Sequence, residues 1–248
     1  MGRFLLSFAA FYLTIPVLAG HADSNQCGNR KVLTQNAIQK GQSTYSGAWP
    51  WHCAVFHLKN RALEYACGGT LIHRKFVLTA DHCVLGDNGY VLTGGRIRVR
   101  LGVHRLYLLN TQTWQEHCVH AVHRYGQTVP KRKNDIAMLE LGTEAEFTDY
   151  VQPVCVDQRK LLAGEIGTVV GWGYTEYDEL ADTLQSARIP VIGTIECLES
   201  DRDVFGQVLD SSLFCAGFTN GTTVCNGDSG GGLYFERENV CEVNEDYV

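Results

Sequence analysis

Residues 225–232, with the sequence CNGDSGGG, combine a serine with a run of glycines. A serine between glycines on a tight turn is held clear of the backbone, which is how proteins expose a nucleophilic hydroxyl. The glycines also let backbone N–H groups point at the oxygen of a reacting carbonyl. The stretch therefore predicts that Ser229 is a nucleophile. The alternative at this point is a glycine-rich turn without chemistry.

Chain order distinguishes two enzyme folds that contain such a serine. Residues 227–231 fit the G-x-S-x-G turn of α/β-hydrolases, in which the catalytic histidine follows the serine. No histidine follows Ser229 in this sequence. A TADHC segment at residues 79–83 and an NDIAML segment at residues 134–139 precede it, which gives the order His, Asp, Ser. With these three motifs the chain resembles the chymotrypsin-like serine proteases, the trypsin/chymotrypsin family.

The resemblance implies an all-β fold of two six-stranded antiparallel β-barrels packed together. Short alternating runs, such as residues 52–58 and 96–101, also favour antiparallel strands. Residues 240–248 are acidic where family members continue with an apolar strand, and the chain ends there. We therefore expect the second barrel to be incomplete, with an unpaired edge. Relative to the family, the chain is expected to be truncated at its C-terminus.

The resemblance also assigns roles in acyl transfer. Ser229 would attack the peptide carbonyl, His82 would act as the general base, and Asp135 would orient His82. The backbone N–H groups of Gly227 and Ser229 would form the oxyanion hole. Thr223 stands where the family has the residue at the base of the substrate pocket. Because threonine is neutral, we do not expect a preference for Lys or Arg substrates.

Three segments divide the chain. In residues 1–20 a basic residue precedes an apolar run that ends in small residues, which is typical of a cleaved secretory signal peptide. The polar residues 21–37 are interpreted as a propiece. Residues 38–248 would form the protease domain.

Activation is a further implication of the resemblance. In the family, a zymogen is cut so that a new N-terminal residue pairs with the aspartate before the nucleophile. By position, Ile38 would be that residue and Asp228 its partner, which would compensate a buried carboxylate. Ala37 stands where a basic residue is usual, so a trypsin-like activator is not expected to cut there. An ordinary apolar residue that opens a strand is the alternative for Ile38.

The chain has ten cysteines and no C-x-x-C pair, which favours disulfides in an oxidising compartment. Cys53 and Cys118 match no common family disulfide, so they either pair across the first barrel or are both buried thiols. The partners of Cys225 and Cys241 stay open. The resemblance implies the pairs Cys27–Cys155, Cys67–Cys83 and Cys197–Cys215.

Three features outside these motifs also bear on the chemistry. Asp81 replaces a usual alanine beside His82, and its effect depends on whether the carboxylate points inward or to solvent. Residues 117–123 contain three histidines and a cysteine, but strand alternation separates most of them between two faces, so no metal site is predicted. Asn220 begins an N-glycosylation acceptor sequence.

The net charge of −6 provides no basic patch for nucleic acid. We expect a secreted, monomeric serine endopeptidase that needs no cofactor and does not bind a membrane. Its partners would be protein or peptide substrates, an activating protease and inhibitors. The alternative is a catalytically inactive, protease-like protein with a binding or regulatory role.

Overall fold

The computed structural model describes residues 27–32, 42–108, 112–125, 135–175, 177–209, 213–218, 227–237 and 240–244. Strands dominate these residues, and the all-β prediction is confirmed. The helices are α1, Thr194–Ser200, and α2, Arg202–Val208, together with the 3-10 helices Asp81–Val84 and Gly94–Arg96. The strands are β1 Gln42–Ser43, β2 His52–Lys59, β3 Ala62–His73, β4 Phe76–Thr79, β5 Ile97–Leu101, β6 Gln115–Arg124, β7 Ala137–Leu141, β8 Cys155–Asp157, β9 Ile166–Gly171, β10 Gln185–Ile192, β11 Cys215–Ala216, β12 Leu233–Arg237 and β13 Val240–Asn244.

The first half of the chain forms a closed barrel in the order β2-β3-β4-β7-β6-β5. Neighbouring strands are antiparallel throughout it. In β5 the side chains of Ile97, Val99 and Leu101 are fully buried, whereas the arginines between them are partly exposed. This alternation puts one face of each strand into the barrel interior. The six-stranded barrel predicted for this half is therefore present.

The second half forms a sheet in the order β1-β10-β9-β12-β13-β8, with β11 paired to β10. In the residues that the structure describes, these strands do not close into a ring, as expected for an incomplete barrel. Strands β13 and β8 run parallel, whereas the other paired strands of this sheet run antiparallel. Ile189, Val191, Leu233 and Phe235 form the small core of this sheet.

The acidic segment after β12 continues the sheet. Strand β13 pairs antiparallel with β12 and parallel with β8. Cys241 and Val243 are buried, while the Glu242 carboxylate accepts a hydrogen bond from Arg237 at 2.9 Å. Glu242 occupies an outer position of an alternating strand, so residues 240–244 form a strand although the segment is acidic where the family has an apolar strand.

Aromatic rings join the two halves. Trp51 and Trp172 are fully buried, and the ring of Tyr234 stacks on Trp49 at a centroid distance of 5.5 Å. His52 of β2 contacts the Trp172 ring at 5.1 Å, which explains why both faces of β2 are buried at this point. Burial lowers the pKa of His52 to about 3, so its ring is neutral.

Among the cysteines that the structure describes, disulfides link Cys27 to Cys155, Cys67 to Cys83, and Cys197 to Cys215. Cys53 and Cys118 are both free, but Cys53 is buried and Cys118 is exposed. Neither alternative proposed for this pair is therefore correct. The reason is geometric, because β5 lies between their strands and Cys118 points away from the barrel interior. Cys241 is a buried free thiol whose pKa is raised to about 11 by burial.

No helix in the described ranges is long and apolar enough to cross a membrane.

Candidate active site

The pairing of β4 with β7 brings His82 and Asp135 together. Thr79 pairs with Ala137; the 3-10 helix that carries His82 follows Thr79, and Asp135 precedes Ala137. The Asp135 carboxylate accepts a hydrogen bond from His82 Nδ1 at 2.7 Å and another from the His82 backbone N–H at 2.9 Å. These two bonds fix both the ring and the backbone of His82 relative to the carboxylate.

The hydrogen bonds shift the acidity of both groups. The bond to Asp135 raises the pKa of His82 above 6.5, against the opposing effect of partial burial. Burial tends to raise the pKa of Asp135, but the hydrogen bonds from His82 outweigh it and the pKa lies below 3.8. The pair therefore favours an ionised carboxylate beside an imidazole that readily holds a proton.

Two further contacts hold the 3-10 helix that carries His82. The disulfide from Cys83 to Cys67 closes a loop with a sequence separation of 16. A bridge of that span stabilises a fold by about 3 kcal/mol in the chain-entropy model. The His57 ring donates a hydrogen bond from Nε2 to the carbonyl oxygen of Cys83 at 2.8 Å. Sequence reasoning missed His57, because it stands in β2 with no motif around it.

The Ser229 loop packs against the residues before His82. The N–H of Gly68 donates to the carbonyl oxygen of Ser229 at 2.8 Å. Gly230 has a φ of +78°, and a Cβ at this position would lie 2.3 Å from Thr79 Oγ1. Only glycine allows so close an approach in this conformation. The loop and the His82 helix are therefore direct neighbours.

Among the described residues, no hydrogen bond joins the Ser229 hydroxyl to His82. Catalytic hydrogen bonds are often long in the absence of substrate and tighten when it binds. The structure thus places the serine loop next to the His82–Asp135 pair without a direct Ser229–His82 bond.

The backbone at Gly227 is held by a residue outside the sequence motifs. Gly227 has a φ of +94°, and its carbonyl oxygen accepts a hydrogen bond from the Tyr65 hydroxyl at 2.6 Å. Tyr65 lies on β3 in the first barrel, so this bond crosses from one half of the molecule to the other. No sequence signal marked Tyr65, because its partner is a main-chain atom distant along the chain.

The Asp228 carboxylate lies against the strand end at Gly173. Its Oδ1 accepts a hydrogen bond from the Gly173 N–H at 2.8 Å. A Cβ on Gly171 or Gly173 would lie 2.1 or 2.2 Å from an Asp228 oxygen, so glycines are needed at both positions. The proposed partner of Asp228, Ile38, lies outside the described residues. Thr223, Asn220 and residues 1–20 also lie outside them.

In the histidine-rich strand β6, His117 and His123 have hydrogen-bond partners within the protein. His117 is buried, and its Nδ1 forms a hydrogen bond with Thr143 Oγ1 at 2.9 Å. Burial lowers the pKa of His117. In the described part of the chain, the group with metal-ligand spacing is Cys67, His82 and Cys83. Its sulfurs form a disulfide, so they offer no thiolate to a metal.

The closed barrel and the second sheet are consistent with the chymotrypsin-like fold, and the comparisons agree. Residues 38–243 match the family model described as Trypsin, and the chain belongs to the trypsin family. The resemblance predicted from the sequence motifs is therefore confirmed.

Three relatives are similar over most of this chain. Phenoloxidase-activating factor 1 of Holotrichia diomphalia is 32% identical over 237 residues, which cover 87% of this chain and 62% of the relative. The proclotting enzyme of Tachypleus tridentatus is 31% identical, with 83% of this chain and 56% of the relative covered. Limulus clotting factor C of Carcinoscorpius rotundicauda is 29% identical, with 87% and 22% covered. The chain thus spans less than two thirds of the length of each.

Proposed function

We propose that this chain is a serine endopeptidase that hydrolyses peptide bonds through an acyl-enzyme, with Ser229, His82 and Asp135 as its catalytic triad. The observation that carries the proposal is the pair of hydrogen bonds from His82 to Asp135, directly beside the Ser229 loop. Trypsin-family membership supports proteolysis as the type of reaction.

In this mechanism the neutral His82 accepts the Ser229 proton as Oγ attacks the peptide carbonyl. The imidazolium then donates that proton to the leaving amine, and water hydrolyses the acyl-enzyme in the same way. Asp135 holds the His82 tautomer and stabilises the imidazolium. Because the pKa of His82 is raised, activity should increase as the pH rises through that pKa and the ring loses its proton.

The developing negative charge on the substrate oxygen would be stabilised by the N–H groups of Gly227 and Ser229. The bond from Tyr65 to the Gly227 carbonyl supports this assignment, because it restrains the backbone of the proposed oxyanion hole. Thr223 at the proposed pocket base favours an uncharged substrate side chain.

The relatives are named as a phenoloxidase-activating factor, a proclotting enzyme and a clotting factor. These names support protein substrates for this chain. The proposal further includes activation by another protease at Ile38 and control by inhibitors. Residues 1–20 would direct secretion, and residues 21–37 would remain attached to the protease domain through the Cys27–Cys155 disulfide. The protein would act as an extracellular monomer.

A fluorophosphonate probe tests this proposal. For this test, an enterokinase site is introduced in place of the residues directly before Ile38. The secreted protein is then cleaved with enterokinase before it is labelled. We expect covalent labelling of the wild type, no labelling of Ser229→Ala, and normal labelling of the matched control Ser200→Ala. A folded wild type that resists the probe would reject the peptidase and favour the inactive, protease-like binding protein.

A further inference from the structure

Asp81, the residue before His82, is bound by an arginine from another strand. Arg124 at the end of β6 donates from Nε to Asp81 Oδ1 at 2.5 Å and from its terminal nitrogen Nη2 to Oδ2 at 2.6 Å. The two side chains are only 22% and 19% exposed. A planar guanidinium that contacts both carboxylate oxygens forms one of the stronger and more directional ion pairs in proteins.

The strand order explains how Arg124 reaches this position. Arg124 pairs with Ala137 of β7, and Ala137 also pairs with Thr79 of β4. Strand β7 therefore separates Arg124 from the end of β4, which leads into the 3-10 helix. The Arg124 side chain reaches Asp81 past the start of β7, where Asp135 lies. The His82 helix is thus held by Asp135, by the Cys67–Cys83 disulfide and by Arg124.

The charges around His82 give this contact a chemical consequence. Two carboxylates act electrostatically on the imidazole: Asp135, which is hydrogen-bonded to it, and Asp81 on the same 3-10 helix, whose oxygens point to Arg124. The sulfurs of Cys67 and Cys83 are also close to the ring but carry no charge. Arg124 binds both oxygens of Asp81 and offsets part of its charge, and Asp135 is the carboxylate that is hydrogen-bonded to the ring.

We propose that Arg124 is a positioning residue that fixes the His82 helix through Asp81 and keeps the Asp81 carboxylate from competing with Asp135 for the imidazole. The proposal rests on the role of His82 as the general base. It also answers the question that Asp81 raised in the sequence, because the carboxylate points to an arginine and neither to the imidazole nor freely to solvent.

The test compares Arg124→Gln, the double variant Asp81→Asn/Arg124→Gln, and a matched control. Each substitution is made in the whole chain, which is then cleaved before Ile38. The control is Arg100→Gln, because Arg100 also forms a partly buried pair, with Glu116, on the same barrel. The readouts are kcat and KM across pH and the NMR titration of the His82 ring.

For Arg124→Gln we expect kcat to fall about tenfold with KM nearly unchanged, because the general base is displaced while substrate contacts remain. The acidic limb of the pH profile and the His82 titration should both move to higher pH, since an unpaired Asp81 carboxylate favours the imidazolium. The double variant should return both to the wild-type position, and Arg100→Gln should alter neither.

An unchanged His82 titration and unchanged kcat in Arg124→Gln would overturn the proposal. If Arg124→Gln does not fold, Arg124→Lys keeps the charge and loses the two-pronged contact. It should keep the wild-type pH profile with a reduced kcat, and a kcat equal to that of the wild type would also overturn the proposal. An inactive wild type in which Arg124→Gln still shifts the titration would reject the peptidase but retain the role of Arg124.

Discussion

The Asp135 carboxylate accepts hydrogen bonds from both the ring and the backbone of His82. The side chains are 52% exposed for His82 and 38% exposed for Asp135, so solvent screens part of their attraction. The geometry nevertheless leaves one tautomer of His82, with the proton on Nδ1, and directs Nε2 away from Asp135. That arrangement is what a general base beside Ser229 requires.

Asp135→Asn is expected to lower kcat by about 10,000-fold, because the amide stabilises the wrong tautomer of His82. The hydrogen bond from His82 to Asp135 is the main cause of the raised pKa of His82. The acidic limb of kcat/KM should therefore move to lower pH. Glu140→Gln is the control, since it removes a comparable carboxylate–histidine pair, with His123, elsewhere on the barrel. Near-normal activity of Asp135→Asn would contradict the proposed triad.

The same substitution should affect stability most between about pH 4 and pH 6.5. The pKa of Asp135 is lowered from 3.8 in the fold, so its stabilising effect is complete above that value and is lost as the pH falls through the folded pKa. The pKa of His82 is raised from 6.5, so its effect is complete below that value and is lost as the pH rises through the folded pKa. Urea unfolding of wild type and Asp135→Asn across pH measures the difference.

Tyr65→Phe removes the hydroxyl that contacts the Gly227 carbonyl and nothing else. We expect kcat to fall about tenfold with little change in KM, because a loosened oxyanion hole stabilises the transition state less. The lost hydrogen bond should also cost about 1 kcal/mol of stability. Tyr45→Phe, which loses a hydroxyl contact to the Val32 carbonyl, is the control. Equal kcat values in the two variants would show that the Tyr65 bond is merely structural.

At the scale of secondary structure, strand β13 shows that a segment with acidic residues can still form a half-buried strand. Its acidic residue Glu242 forms an ion pair with Arg237 on the neighbouring strand β12. Cys241 and Val243 face the core. An average over the segment hides this alternation, although the alternation decides whether a strand can form.

Val243→Ala should destabilise the protein by about 2 kcal/mol, because Val243 is fully buried. Val156 is its register partner on β8 and is 42% exposed. Both variants lose the same strand propensity. Apart from that loss, Val156→Ala should lower the free energy of unfolding by less than about 0.5 kcal/mol. Urea midpoints of the two variants measure the difference, and equal midpoints would argue against a buried β13.

At the scale of the whole molecule, the candidate site depends on contacts between the two halves. Tyr65 and Gly68 of the first barrel bind the backbone around Gly227 and Ser229, which belong to the second half. Trp172 and Tyr234 of the second half pack against the His52 ring of β2. Neither half alone contains both the His82–Asp135 pair and the serine loop.

The proposed activation also depends on the whole molecule, because a new N-terminus would have to reach Asp228, whose carboxylate lies against Gly173. Ala37→Arg should let trypsin cut before Ile38 and yield protein that reacts with the fluorophosphonate probe, whereas the wild type should need another activator. Ala37→Arg/Asp228→Asn should be cut at the same site but remain unreactive, because the new ammonium lacks its carboxylate. N-terminal sequencing and labelling measure the two steps. Labelling of the uncut wild type would contradict a zymogen.

The sequence alone determined those features that are local, covalent or ordered along the chain. The order of the His82, Asp135 and Ser229 motifs predicted the family and the all-β class. The three disulfide pairs implied by the resemblance are present in the structure. Such features can be predicted from the sequence because each depends on a short motif or on a cysteine and does not depend on how the rest of the chain packs.

Only the tertiary structure decided the contacts that depend on strand register and on the face of a strand. The partner of Asp81 lies 43 residues away, and the Tyr65 hydroxyl bonds a carbonyl 162 residues away. The opposite environments of Cys53 and Cys118 and the parallel pairing of β13 with β8 arise in the same way. A shift of one residue in register reverses the face of every side chain in a strand, so such noncovalent contacts appear only when the strands are assembled.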